Sequence, residues 1–209
     1  MTQNVTGLDV YLLLAAGSHF HWAGIETYVQ KVLYCAEDDA VRASSNPFPT
    51  FPFFRWKHGP YSKEVANTAE LLARQGFMRN KRGPLTPRGR RLVAEVRRDI
   101  KRFPVAAAAL ENVDRYAEHF RSMKLRPALD EVYARPARGP FGPTTVAHVP
   151  EGEDMIWREL APEVAAEHEE LFDLIAWRLT QTEDEEKAER ESPLIPDDKA
   201  QAFLSRYLG

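Results

Sequence analysis

Apolar residues fall along this chain in blocks of two rhythms. Residues 8–17 (LDVYLLLAAG) are almost continuously apolar and predict a buried helix ending at Gly17. Over 25–40, Ile25, Val29, Val32, Leu33 and Ala36 keep the i, i+4, i+7, i+8 spacing of one helical face. Gln30, Lys31 and Glu37 fall at the margin of that face or outside it. Asp38-Asp39 and the Ser44–Pro47 run close the helix, and Pro47, Pro49 and Pro52 keep the following segment out of helix. The period then shortens. Phe53, Phe54 and Trp56 predict a short strand running into a Gly59-Pro60 turn. Ser62 is placed to cap a helix over 62–75, with Val65, Ala69 and Leu72 inward, and Gly76 stands where a left-handed C-cap is needed. Phe77-Met78 and Pro84-Leu85 form the arms of a hairpin. Thr86-Pro87 opens a helix over 87–103 that buries Leu92, Val96, Ile100 and Phe103.

Beyond Phe103-Pro104, Leu110, Val113, Ala117 and Phe120 make the stripe of another helix, and a shorter one spans 126–133. Residues 134–152 are rich in proline and glycine, hold few packing residues and are expected as a long loop or linker. A helix is expected from Asp154, interrupted or restarted at Pro162 and running to about residue 182. Its apolar and aromatic content (Trp157, Phe172, Trp177) implies burial, either within the chain or against a dimer mate or partner protein. Residues 183–191 (EDEEKAERE) form an acidic tether. The tail 197–208 is amphipathic through Ala200, Phe203, Leu204 and Tyr207, a pattern that docks on the same chain or on a partner. The expected organisation is a first domain over 1–104, a helical extension over 105–182 with its loop at 134–152, and a tether with a terminal helix over 183–209.

Charge adds an asymmetry that the apolar pattern does not show. The net formal charge of the 209 residues is -3, yet residues 55–104 carry 14 basic and four acidic groups. Residues 151–209 carry six basic and 17 acidic groups. The basic excess coincides with the hairpin and the helix after it. A polyanion surface is expected there; arginines that merely solvate exposed helix faces are the alternative. Arg79, Lys81 and Arg82 crowd a short turn, which suits a phosphate backbone opposite them. On the 62–75 helix, Lys63, Asn67 and Arg74 face outward. Lys63 and Asn67 lie one turn apart and can address a groove together, although Glu64 and Glu70 share that surface. Arg88, Arg90 and Arg91 would flank. Asn67 is equally readable as a plain surface residue.

Other chemistry finds no support in the sequence. There is no phosphate-binding loop, no GxGxxG, no HExxH and no GxSxG. Carboxylates pair only inside acidic runs. His19 and His21 lack an acidic or cysteine neighbour in their stretch, so a loop rather than a metal site is expected. No cofactor, metal or catalytic residue is expected. Cys35 is the single cysteine, which forbids an internal disulfide and fits a reducing, cytoplasmic setting. The apolar run at 10–17 is too short to span a bilayer, so no membrane contact is expected.

Strand, helix, basic hairpin and helix follow the order of a winged helix-turn-helix, and four motifs in that order carry a resemblance. Val29-Gln30-Lys31-Val32-Leu33-Tyr34 resembles the "LQKLLY" helix of bacterial YwgA-like and Panacea (SocA-like antitoxin) winged-helix proteins. Trp56 through Ser62 (WKHGPYS) resembles their "WKYGPYS" strand and turn, with His58 in place of a tyrosine. Leu71-Leu72 with Gly76-Phe77 is similar to their helix exit, and Leu85 through Arg90 (LTPRGR) to the "LTxxGR" opening seen after many wings. The resemblance covers residues 8–100 and implies a mainly α fold with a small β-wing. It also implies one of two uses: double-stranded DNA binding in transcription regulation, or binding a toxin protein to neutralise it. The acidic, aromatic C-terminal half adds the reading of an accessory subunit of a defence or nucleic-acid-processing complex. The helices beyond 104 would then dimerise, dock a partner, or fold over the basic half and inhibit it.

Overall fold

In a computed structural model of the chain, the described residues are 7–22, 25–42, 51–139, 142–156, 171 and 173–180. They are mainly helical with a small antiparallel sheet. The chain divides into two compact units, Met1–Ile175 and Ala176–Gly209. In the second, residues 176–180 are described; they are helical, and the Arg178 guanidinium lies 5.0 Å from the Trp177 ring. The acidic tether and the amphipathic tail lie outside the described residues, as do Trp157 and Phe172. No helix among the described residues is long and apolar enough to cross a membrane.

The first unit is built around helix α1, Gly7–Ser18, which is buried on every side through Leu8 and the run Tyr11–Ala16. A helix apolar all round has no solvent face to offer and is enclosed by its neighbours. Around it lie α2 (Glu26–Arg42), α3 (Lys63–Arg74), α4 (Pro87–Asp99, continued by a 3-10 turn Ile100–Arg102) and α5 (Pro104–Arg121). Helix α5 packs on both α1 and α2, inserting Ala106, Val113, Ala117 and Phe120 between them. Its first residue, Pro104, sits where the sequence suggested the end of a first domain. Helix α6 (Leu125–Ala134) follows.

Local chemistry explains the element ends. Ser62 Oγ accepts from the Val65 amide at 3.3 Å and caps α3. At the other end Gly76 adopts φ +80°, the Phe77 amide donates to Leu72 O at 2.9 Å, and the Gly76 amide to Ala73 O at 3.2 Å. That is a Schellman cap, in which glycine supplies the left-handed residue at little cost. Thr86 Oγ1 accepts from the Gly89 amide at 3.2 Å with Pro87 at the first helical position, so α4 starts as its sequence predicts. Gly89 is dictated by packing: a Cβ there would stand 2.2 Å from the Phe77 carbonyl oxygen.

Strand β1 (Phe53–Trp56) is the middle strand of a three-stranded antiparallel sheet. Strand β2 (Gly59–Tyr61) pairs it across a two-residue turn, Trp56 opposite Gly59 at φ +90° and Phe54 opposite Tyr61. Strand β5 (Asp154–Ile156) pairs the other edge, where a helix was expected. Three residues carry no period, so the open backbone donors and acceptors of β1 decide the conformation. The proline- and glycine-rich stretch, expected as a loop, folds into a hairpin, β3 (Pro136–Gly139) against β4 (Gly142–Thr145). A 3-10 turn follows that buries Val146, with Val149 buried just after it. Arg135 fastens this region to α2. Its guanidinium donates to Asp38 Oδ2 at 2.8 and 3.0 Å, to Asp39, and to the Tyr116 hydroxyl at 2.8 Å, while that hydroxyl donates to Asp39 Oδ2 at 2.5 Å. Burial works to raise the Asp39 pKa, but the bonds from Tyr116 and Arg135 hold it below the usual carboxylate range.

Candidate nucleic-acid interface

The basic hairpin forms as a minimal ribbon. A single bridge joins Met78 to Leu85, and the Arg79 amide donates to Pro84 O at 3.0 Å. Asn80 shapes the tip: its Oδ1 accepts from the Arg82 amide at 2.8 Å and its carbonyl from the Gly83 amide at 3.0 Å. The arms are anchored by Phe77, Met78 and Leu85, all buried, so the exposed cations stand on a fixed base.

Structure divides the expected contact residues into groups. Arg79 is exposed and has no acidic partner among the described residues. Arg82 is exposed, but its Nε donates to Glu26 Oε2 at 2.9 Å, and its backbone carbonyl accepts from the Ile25 amide at 3.2 Å. The tip is therefore docked on the start of α2. Lys81 Nζ lies 3.8 Å from Glu70 Oε2, whose other oxygen accepts from Arg74 Nη2 at 2.6 Å. The bond from Arg74, helped by Lys81, lowers the Glu70 pKa. These exposed pairs are weak and exchange readily with other anions. Lys63 and Asn67 are exposed one turn apart on α3, with Lys63 Nζ 5.7 Å from the Phe54 ring. The same stripe carries Leu71, which is 51% exposed, and then Arg74.

The arginines of α4 serve the fold as well as the surface. Arg88 Nη1 donates to Gln75 O at 3.0 Å, at the end of α3, and its guanidinium lies 4.3 Å from the Phe77 ring. Arg90 Nη1 donates to Leu85 O at 2.8 Å, bracing the returning arm. Arg91 is half-buried on the same helix. Arg88 and Arg90 brace the hairpin's root, while Arg79, Lys81 and Arg82 project at its tip.

A cleft of about 450 Å³ opens beside the tip. Glu26, Gln30 and Lys31 of α2, Trp56 and Tyr61 of the sheet, and Arg82 of the hairpin line it. Gln30 and Lys31 were expected at the margin of α2 or outside its buried face; both are buried, because β2 and the start of α3 cover that side of the helix. Gln30 makes a matched pair with Ser62, donating from Nε2 to Ser62 O at 2.9 Å and accepting at Oε1 from the Ser62 amide at 2.9 Å. Lys31 Nζ donates to Pro60 O at 2.6 Å. Burial pulls the Lys31 pKa from 10.5 down to about 7. The available signal was a Gln-Lys pair set within a helix whose other neighbours are apolar.

Elsewhere, His19 and Cys35 serve the fold. His19 Nε2 lies 2.8 Å from Asp114 Oδ1, and Asp114 also takes two bonds from Arg97 at 2.5 and 2.8 Å. Cys35 is fully buried and its thiol pKa is pushed up to about 12 by burial, which leaves it a packing residue. No family model, curated protein or solved structure matches this chain.

Proposed function

We propose that this chain is a winged-helix DNA-binding protein that acts in transcription regulation. The observation that carries the reading is the hairpin tip: Arg79, Lys81 and Arg82 project together from a buried base, directly after a capped helix whose outward stripe holds Lys63 and Asn67. In this reading the hairpin is the wing and grips the phosphate backbone. Helix α3 presents Lys63, Asn67 and Arg74 to a groove, and Arg88, Arg90 and Arg91 hold the wing's root beside the duplex. Backbone contacts of this kind supply affinity without base reading. The motif resemblance to bacterial YwgA-like and Panacea winged-helix proteins supports the same fold. Fluorescence anisotropy with labelled genomic duplexes at low and physiological salt tests it. Replacing Arg79, Lys81 and Arg82 by alanine should weaken binding to all sequences alike.

One observation favours a second reading, a protein-interaction module of the antitoxin or accessory-subunit kind. Leu71 stands half exposed in the centre of the α3 stripe, and Glu70 beside it occupies Arg74 and Lys81. An apolar side chain among paired charges suits a protein surface better than a groove. Leu71→Asp discriminates: it abolishes capture of a stoichiometric partner in the second reading. In the first it reduces DNA affinity only as one added negative charge would.

A further inference from the structure

The cleft beside the hairpin tip sets two cations, Lys31 and the tip residue Arg82, against one carboxylate, Glu26. Lys31 is 4% exposed, yet it forms part of the cleft wall. A protonated amine has three N–H donors. Pro60 O takes one of them, and no carboxylate among the described residues pairs with the amine. A buried cation without a counter-charge is costly, and burial accounts for its lowered pKa. The second cation of the cleft, Arg82, also has capacity to spare. Glu26 engages only its Nε, so the terminal nitrogens of the guanidinium are free among the described residues.

The apolar wall is equally defined. Trp56 is 44% exposed, yet its ring is held edge-on against Phe54 at 6.0 Å, and Phe54 in turn against Tyr61 at 5.8 Å. The indole lines the same cleft as the two cations, and Lys57 Nζ lies 5.9 Å from its ring. A volume of about 450 Å³ suits a small molecule.

We propose that this cleft binds a small aromatic carboxylate, its carboxylate meeting Lys31 Nζ and the terminal nitrogens of Arg82 and its ring lying against Trp56. A planar carboxylate matches the guanidinium fork, and the ring gains the exposed indole. The occupant is a free small molecule rather than a duplex phosphate, because a stiff helix cannot bring its backbone to an amine so deeply covered. The site stands whether or not the chain binds DNA.

Fluorine NMR of the full chain without DNA tests this, with 4-fluorobenzoate as probe and 4-fluorobenzyl alcohol as its neutral twin. The 4-fluorobenzoate resonance should broaden and saturate while the alcohol stays sharp. Lys31→Met and Arg82→Ala should each raise Kd about tenfold, the loss of one charge-assisted contact, and Trp56→Ala about threefold. Arg82 and Trp56 are exposed, so those two variants keep the test decisive if the Lys31 variant fails to fold. Equal behaviour of the two probes, or unchanged Kd in Arg82→Ala and Trp56→Ala, overturns the proposal. Inorganic phosphate binding as tightly as 4-fluorobenzoate removes the ring from it and overturns it also. Displacement of the probe by a short oligothymidylate at lower concentration than unlabelled benzoate reassigns the cleft to single-stranded nucleic acid, again contradicting it.

Discussion

Arg82 at the hairpin tip donates to Glu26 at the start of α2 across 2.9 Å, so a cation proposed to grip phosphate is already held by an acid of the fold. Glu70 plays the same part for Arg74 and Lys81. Each acid competes with phosphate for the cations proposed to bind it. Glu26→Gln and Glu70→Gln should therefore each tighten duplex DNA binding, by about threefold to tenfold at low salt, since one negative charge leaves the interface. Anisotropy titrations of both variants beside the parent check this. Weaker binding in both would mean that these acids orient the cations rather than withhold them.

Lys31 makes stability depend on pH in a definite direction. Its pKa is about 7 in the folded chain and 10.5 as the ordinary value. Below about 7 the amine is protonated in both states, and the full cost of burying the charge is present. As pH rises above 7 the folded state loses the proton first, so unfolding takes one up and stability rises by about 1.4 kcal/mol per pH unit. Cys35, raised from 9 to about 12, acts in the opposite sense above pH 9, which confines the clean window to about pH 7.5–8.5. Arg55 is the charged neighbour that also lowers Lys31, and Glu26, His58 and Arg82 line the same cleft. Urea denaturation of the parent and Lys31→Met across that window should diverge, the parent gaining stability relative to the variant as pH rises. Parallel profiles would refute the burial account of this amine.

The Gln30–Ser62 pair joins α2 to the cap of α3 through two bonds of 2.9 Å. Gln30→Leu removes both and leaves the buried Ser62 amide without a partner, while Ser62 O keeps the Ala66 amide at 3.4 Å. The expected loss is about 1–3 kcal/mol, from one unsatisfied group. Gln30→Glu keeps an acceptor for the Ser62 amide but turns the donor into a second acceptor facing Ser62 O, and should cost at least as much at neutral pH. Urea midpoints at constant m-value measure both.

Arg135 neutralises Asp38 and Asp39 from one guanidinium at the start of the β3–β4 hairpin. Arg135→Met should cost about 1–3 kcal/mol, because Asp38 and Asp39 lose its charged bonds while Arg42 still meets Asp38 at 3.0 Å and Arg115 meets Asp39 at 2.9 Å. Adding Asp38→Asn and Asp39→Asn to that variant should restore part of the loss. A triple variant no more stable than the single one would show that the arginine acts through packing alone.

Much of this fold is legible in the sequence because its signals are local. Ser62, Gly76 and Thr86 announce helix ends through bonds made within a few residues, and the period of α2 and α5 follows from one buried stripe. The features that escape are those set by distant chain. Gln30 and Lys31 read as marginal from α2 alone, since the period counts one neighbouring layer and β2 supplies a second. Strand β5 exists through its pairing with β1, about a hundred residues earlier, and three residues carry no period of their own. Arg135 finds Asp38 across 97 positions. The candidate interface was legible as charge, but its internal bookkeeping was not: Arg88 and Arg90 look like free cations until their bonds to Gln75 O and Leu85 O are seen.

The salt dependence of duplex DNA binding tests the central claim most directly. If the hairpin and its flanks neutralise about five phosphates, log K falls against log salt with a slope of about -4 to -5, so Kd rises roughly 500-fold between 50 and 200 mM salt. The triple variant Arg79→Ala, Lys81→Ala, Arg82→Ala should bind more weakly and flatten the slope by about three. Absence of binding at 50 mM salt, or a triple variant that binds as the parent does, would contradict the assignment of this surface to DNA.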